Sequence, residues 1–145
     1  MTNTEARAFL HSIKEQDEEL YRKLTQIAEL RSAVENCTAK LESDGSQHSN
    51  VGDKLSNLMC KIVDLEEECE KLRISADNRR KCVSDLAKEL IHEEHREYLM
   101  LRFVECNGFF DTAMKMGLSD SKARRIDRKV VSEFAKSYKN PKILS

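Results

Sequence analysis

The residues best equipped for chemistry lie near the C-terminus, in the stretch "AMKMGLSDSKARRIDRKV" at 113–130. Ser121, Lys122, Arg124, Arg125, Arg128 and Lys129 would project from one helix running from Ser119 to Lys139. Guanidinium forks and ammonium groups on a helix are suited to phosphate oxygens and guanine edges, so the chemistry on offer is non-covalent recognition of double-stranded DNA. The neighbouring residues have the types and spacing of a helix-turn-helix scaffold. Ala113 is small where two helices must approach closely, Gly117 tolerates the positive φ of the turn, and Leu118, Ala123 and Ile126, with Met116, fall where packing contacts belong. Ser119 or Asp120 is placed to cap the second helix by accepting its orphan backbone N–H groups.

Other constellations carry less. "HEEH" sets His92 and His95 three residues apart, whereas the zinc-protease spacing is four with a glutamate after the first histidine, and no third ligand is evident. No glycine-rich phosphate loop, nucleophile elbow or Cys/His pair with a positioned acid occurs, and the acidic runs fall on solvated helix faces. The expectation is a protein that is not an enzyme and holds neither metal nor cofactor. Five scattered cysteines (Cys37, Cys60, Cys69, Cys82 and Cys106) without a CxxC spacing read as small apolar fillers, not a disulfide framework.

The elements that must position the basic residues are helical. Charged residues make up 35% of the 145-residue chain and aromatics 6%, with no Trp, one Pro and four Gly, a profile of long helices with little material for a deep pocket. No apolar run approaches the ~20 residues that cross a bilayer, and the N-terminus lacks a signal-peptide layout, so a soluble, cytoplasmic protein without a membrane is expected. The formal charge of −1 hides an asymmetry. Residues 102–142 hold ten Lys and Arg against five Asp and Glu, leaving fifteen basic and twenty-one acidic residues elsewhere. An acidic body with a basic end suits a polyanionic partner.

Two heptad tracks run through the acidic body. One reads Leu10, Ile13, Asp17, Leu20, Leu24, Ile27, Arg31, Val34, Thr38, Leu41, and the other Leu55, Leu58, Ile62, Leu65, Cys69, Leu72, Ala76, Arg79, Val83, Leu86, Leu90. Steps alternating three and four over this length signal coiled-coil packing. Each seam spans about 50 Å at 1.5 Å per residue, and a polar, glycine-containing stretch separates them, so an antiparallel hairpin is predicted, with an intermolecular coiled coil as the competing arrangement. The best register sets Leu41 against Leu55, Leu24 against Leu72, Ile27 against Cys69, and Asp17 beside Arg79 as a polar pair that fixes it. The predicted layout is all-α. A coiled-coil hairpin at 1–91 has helices at about 4–41 and 53–91 and a loop at 42–52; a helix-turn-helix domain follows at 92–140 and a tail at 141–145. All four glycines are assigned to turns.

The stretch "REYLMLRFVECNGFFDTAMKMGLSDSKARRIDRKVVSEF" resembles the sigma-70 region 4 helix-turn-helix, with Leu101-Arg102-Phe103 matching the helix end that precedes the two DNA-binding helices. The chain as a whole is similar to small phage and prophage proteins of Gram-positive bacteria, relatives of the ArpU and RinA type of late transcription regulators. "GDKLSNLMCKIVDLEEECEKL" resembles that family's second helix, so the resemblance covers roughly residues 50–138. It implies a transcriptional regulator in the cytoplasm of a bacterial host that binds duplex DNA, with a homodimer as an option. The family commonly has an apolar branched residue where Thr112 stands and acidic residues where Phe109 and Phe110 stand. An exposed Phe109 or Phe110 would instead suit a protein interface, and the alternative is a module or phage inhibitor that engages RNA polymerase or another host protein.

Overall fold

A computed structural model describes residues 1–44 and 49–138, with side-chain surroundings for 1–40 and 51–138. The elements are α1 (Asn3–Asp44), α2 (Ser49–Glu89), α3 (Glu93–Leu99) running on into a π-helical turn (Met100–Val104), α4 (Phe109–Met116) and α5 (Asp120–Ser137). No strand occurs among the described residues, in keeping with the all-α expectation. The start of α1 is a reciprocal capping box: the Thr2 amide donates to Glu5 Oε2 at 2.7 Å and the Glu5 amide to Thr2 Oγ1 at 3.1 Å. Both long helices reach into the predicted loop at 42–52, since 42–44 belong to α1 and α2 resumes at Ser49. Gly52, assigned to a turn, therefore lies inside α2, where a glycine costs only about 1 kcal/mol against alanine. Gly45, the Leu41–Leu55 pairing and the tail at 141–145 lie outside the described residues.

The chain divides into two compact units, Asp17–Ile74 and Met1–Gln16 together with Ser75–Ser145. The predicted boundary near residue 91 is not where the packing divides, because both outer ends of the long helices belong with the C-terminal elements.

In the unit Asp17–Ile74 the two helices run antiparallel: Lys23 Nζ meets Glu68 Oε2 at 2.7 Å, and Arg31, farther along α1, meets Glu66, earlier in α2, at 2.6 Å. Ile27, Ile62 and Cys69 form its core, flanked by Leu20, Leu30, Val34 and Leu65. Ile27 and Cys69 share this core, as the predicted register has it. Along α2 the inward row follows the predicted track, Leu55 to Leu72, without interruption. Along α1 it does not. Beyond Leu20, the less exposed residues are Lys23, Leu30 and Cys37, while Leu24, Arg31 and Thr38 face solvent. The expected Leu24–Leu72 knob is thereby lost, with Leu24 half exposed. Both rows repeat every seven residues and share Leu20, Ile27 and Val34; they differ in which residues between these turn inward. Leu30 and Cys37 precede Arg31 and Thr38 by one position, so a small rotation exchanges two polar residues for two apolar ones.

The other unit has a larger core. Phe9, Leu10 and Ile13 of α1 and Val83 and Ala87 of α2 pack with Tyr98, Leu99 and Phe103, and with Ile126, Val130, Val131 and Phe134 of α5. The Phe9 ring stacks on Phe134 at 5.6 Å between centroids and meets Tyr138 at 5.4 Å. Within this unit α1 and α2 are again joined, by Gln16 Nε2 donating to Ser75 Oγ at 3.0 Å. Arg79, for which the register suggested Asp17, donates to Ser12 Oγ and lies over the Phe9 ring at 5.2 Å. Asp17 belongs to the other unit.

Candidate nucleic-acid interface

The basic residues are carried by α5, whose start is positioned by α4 and the turn at Gly117. Gly108 precedes α4 in extended conformation, and Thr112, fully buried, returns its hydroxyl proton to the Gly108 carbonyl at 2.8 Å. Threonine can thus stand at an apolar branched position because its hydroxyl is satisfied locally. At the far end Gly117 takes φ 66°, ψ 33°, the left-handed region that glycine enters without a Cβ penalty. Its amide donates to Met114 O at 3.1 Å and the Leu118 amide to Ala113 O at 2.9 Å, the two bonds of a Schellman motif. Ser119 then caps α5, its Oγ accepting from the Lys122 amide at 3.3 Å.

Ala113, Ala123 and Ile126 are buried, Leu118 packs against the edge of the core, and Gly117 makes the turn. Ser121, Lys122, Arg124, Arg125, Arg128 and Lys129 are all exposed, alternating with buried Ala123, Ile126 and Val130. Ser121, Arg125 and Arg128 follow at steps of four and three and so share one stripe, while Lys122 and Lys129 are two turns apart.

These side chains are not equally available. Lys122 Nζ pairs with Glu94 Oε1 of α3 at 3.1 Å, and Arg124 Nε with Asp120 Oδ2 at 3.1 Å. Arg124 also lies over the Phe109 ring at 5.9 Å. Arg128 Nε donates only to the Arg124 carbonyl, at 3.4 Å, and Arg125 and Lys129 make no ion pair among the described residues. Phe109, Arg124, Asp127 and Arg128 line a shallow cleft of about 290 Å³.

Asp127 is a buried charged position that spacing did not find. Its carboxylate sits on the inward side of α5, accepting from Tyr98 Oη at 2.7 Å and from Arg7 Nη2 at 2.7 Å. Burial pushes the Tyr98 phenol far above the ordinary tyrosine range, and its bond to the Asp127 carboxylate adds to the shift. The network ties α1, α3 and α5 together and sets the rotation of α5 about its axis. A lone acid between Ile126 and Val130 was a visible signal that a partner had to exist. Nothing in the local spacing pointed to Arg7, 120 residues away.

Between the π-helical turn and α4 the chain is non-helical at residues 105–108. The residue in left-handed conformation is Cys106, at φ 58°. Asn107 closes the π-helical turn, giving both its amide (3.1 Å) and its Nδ2 (2.8 Å) to the Leu101 carbonyl. Arg102 Nη1 donates to Asn107 O at 2.9 Å and its guanidinium covers Phe103 at 5.3 Å. Nearby, burial and the Arg102 and Arg7 charges hold the His11 imidazole below its usual range. The His92 ring meets that of His95 at a tilt, 4.9 Å between centroids, and His95 Nδ1 engages Glu133 at 3.1 Å. Among the described residues no group of three or more His, Cys, Asp or Glu side chains gathers in a way that would hold a metal. No helix among them is long and apolar enough to cross a membrane.

Neither a protein-family model, a curated protein nor a solved structure matches the chain.

Proposed function

We propose that the protein is a DNA-binding regulator of transcription that lays α5 in the major groove, with the sigma region 4-like arrangement and phage setting that its sequence resembles. The observation that carries this reading is the sorting of α5: six polar or basic residues outward, and Ala123, Ile126 and Val130 inward. A helix of 18 residues is about 27 Å long, and the major groove of B-DNA, about 12 Å wide, admits it. Among the described residues Arg125, Arg128 and Lys129 pair with no carboxylate, whereas Lys122 and Arg124 must leave Glu94 and Asp120.

The test is binding-site selection from random duplex DNA, followed by titration of the R124E/R125E variant. The variant is expected to lose binding, and R125E alone to account for most of the loss. Wild-type affinity should fall steeply with salt, with a slope of about −0.9 per phosphate neutralised. Unchanged affinity in the double variant would rule this surface out.

A second reading is favoured by Phe110 and Met114, one turn apart on α4 and 69% and 80% exposed. Large apolar side chains side by side in solvent suit a protein partner such as RNA polymerase or another host protein. If the selection returns no sequence, capture by immobilised polymerase, lost in F110S/M114S, supports this reading.

A further inference from the structure

Asp127 belongs to two places at once. Its carboxylate is held in the network with Arg7 and Tyr98, and it also lines the cleft of about 290 Å³ beside Phe109, Arg124 and Arg128. All of these residues lie in the unit formed by Met1–Gln16 and Ser75–Ser145. On α5, Arg124 and Arg128 are one turn apart, and Asp127 stands three residues after the first and one before the second. An acid therefore sits on the flank that carries two of the basic side chains.

Such an acid works against a polyanionic ligand. Asp120 already engages Arg124 Nε at 3.1 Å. With Asp120 and Asp127 set against Arg124 and Arg128, this flank holds as many carboxylates as guanidinium groups and has no net attraction for phosphate. Arg7 changes the count. Its Nη2 meets Asp127 Oδ2 at 2.7 Å, with the two side chains 40% and 13% exposed, so the pair forms at the edge of solvent. Two other neighbours bring no charge. Tyr98 donates to Asp127 Oδ1 at 2.7 Å as a neutral phenol, its ionisation pushed far above the usual tyrosine range by burial. The His11 imidazole, held below its usual range by burial and by the Arg102 and Arg7 charges, is neutral at pH 7. Arg102, the next cation, gives Nη1 to the Asn107 carbonyl and covers the Phe103 ring. Among the described residues Arg7 is the cation that pairs with Asp127.

We infer that Arg7 is a positioning residue for DNA binding: from the first turns of α1 it holds and compensates Asp127, so that the flank of α5 formed by Arg124 and Arg128 can take a backbone phosphate. The inference rests on the DNA-binding reading of α5. It enlists a residue 120 positions away in sequence, acting through Asp127 and not by touching DNA.

The test is a double-mutant cycle on affinity for a random-sequence duplex at low salt, with circular dichroism confirming that each variant is folded at the assay temperature. Arg7→Met should bind about tenfold more weakly than wild type, because it leaves a carboxylate uncompensated near a phosphate. The gap should narrow as salt rises. Asp127→Asn should bind at least as tightly as wild type, although it weakens the same network. R7M/D127N, which restores the net charge, should return to within about twofold of wild type. A merely structural role would give both single variants the same sign, since both break one ion pair. Arg7→Lys retains the charge and should stay within about threefold of wild type. Its contrast with R7M remains informative should D127N unfold. A wild-type chain without affinity for duplex overturns both readings. If wild type binds and R7M matches it, or D127N weakens binding as much as R7M does, the role of Arg7 falls alone. A loss that persists in R7M/D127N overturns it as well, because Arg7 would then contact DNA itself.

Discussion

Replacing Phe9 with alanine tests whether the first turns of α1 are part of the C-terminal unit. The ring is 2% exposed and touches Phe134, Tyr138 and the Arg79 guanidinium. Truncating a buried phenylalanine removes about 3–5 kcal/mol through lost transfer energy and the cavity left behind. The value belongs at the upper end of that range, because two aromatic contacts disappear with the ring and such pairs are worth about 0.5–1.5 kcal/mol beyond their area. Each kcal/mol lowers the melting temperature of a unit of this size by about 4–8 °C, so a fall of at least ~12 °C is expected. The chain has no tryptophan, which makes its tyrosines clean reporters. Tyr98 and Tyr138 are buried in the unit that holds Phe9, and Tyr21 is exposed in the other. Urea unfolding followed by near-ultraviolet circular dichroism of the tyrosines therefore reads the right unit. Tyr21→Ala, an exposed-site control, should stay within about 0.5 kcal/mol of wild type. If Phe9→Ala costs less than about 1 kcal/mol while Phe134→Ala costs its full amount, the N-terminal helix is not part of this core and the reasoning fails.

Two further outcomes follow from the geometry around α5. Gly117→Ala places a Cβ on a residue at φ 66°, costing about 1–2 kcal/mol, and should lower thermal stability although nothing lies within 4 Å of the added atom. The Tyr98 phenol, whose folded pKa is raised, contributes stability that is complete below the ordinary tyrosine value of about 10 and is lost as pH climbs above it. Ultraviolet titration should find one tyrosine ionising only with unfolding, and Asp127→Asn should destabilise the fold while bringing that ionisation to lower pH.

Much of this architecture was legible in local patterns, and the exceptions have physical causes. The row from Leu55 to Leu86 in α2 could be read residue by residue, because its inward positions are apolar wherever the repeat demands it, apart from Arg79. The α1 row was legible at Leu20, Ile27 and Val34 but not at the positions between and after them. There, two choices one residue apart were available, and the outcome depended on burying Leu30 and Cys37 in place of Arg31 and Thr38. Ala113, Gly117, Ala123 and Ile126 were readable because close approach, positive φ and packing each narrow the residue type. The Arg7–Asp127–Tyr98 network and the Phe9–Phe134 stack were not, since contacts between the two ends of a sequence leave no periodic trace. The same holds for the pairing of Lys122 with Glu94 of α3, whereas Arg124 and Asp120 stand four residues apart on one helix, a spacing that sequence does show.

The division of the chain has a consequence in time. Asp17–Ile74 is one uninterrupted stretch whose partners are close in sequence, so it can close as soon as it has been synthesised. The other unit is discontinuous: Phe9 has no ring to stack on until Phe134 has been made, 125 residues later. At about 5–20 residues per second of synthesis, the nascent α1 carries Phe9, Leu10 and Ile13 uncovered for several seconds beside an already folded hairpin. The middle of this protein matures before either of its ends.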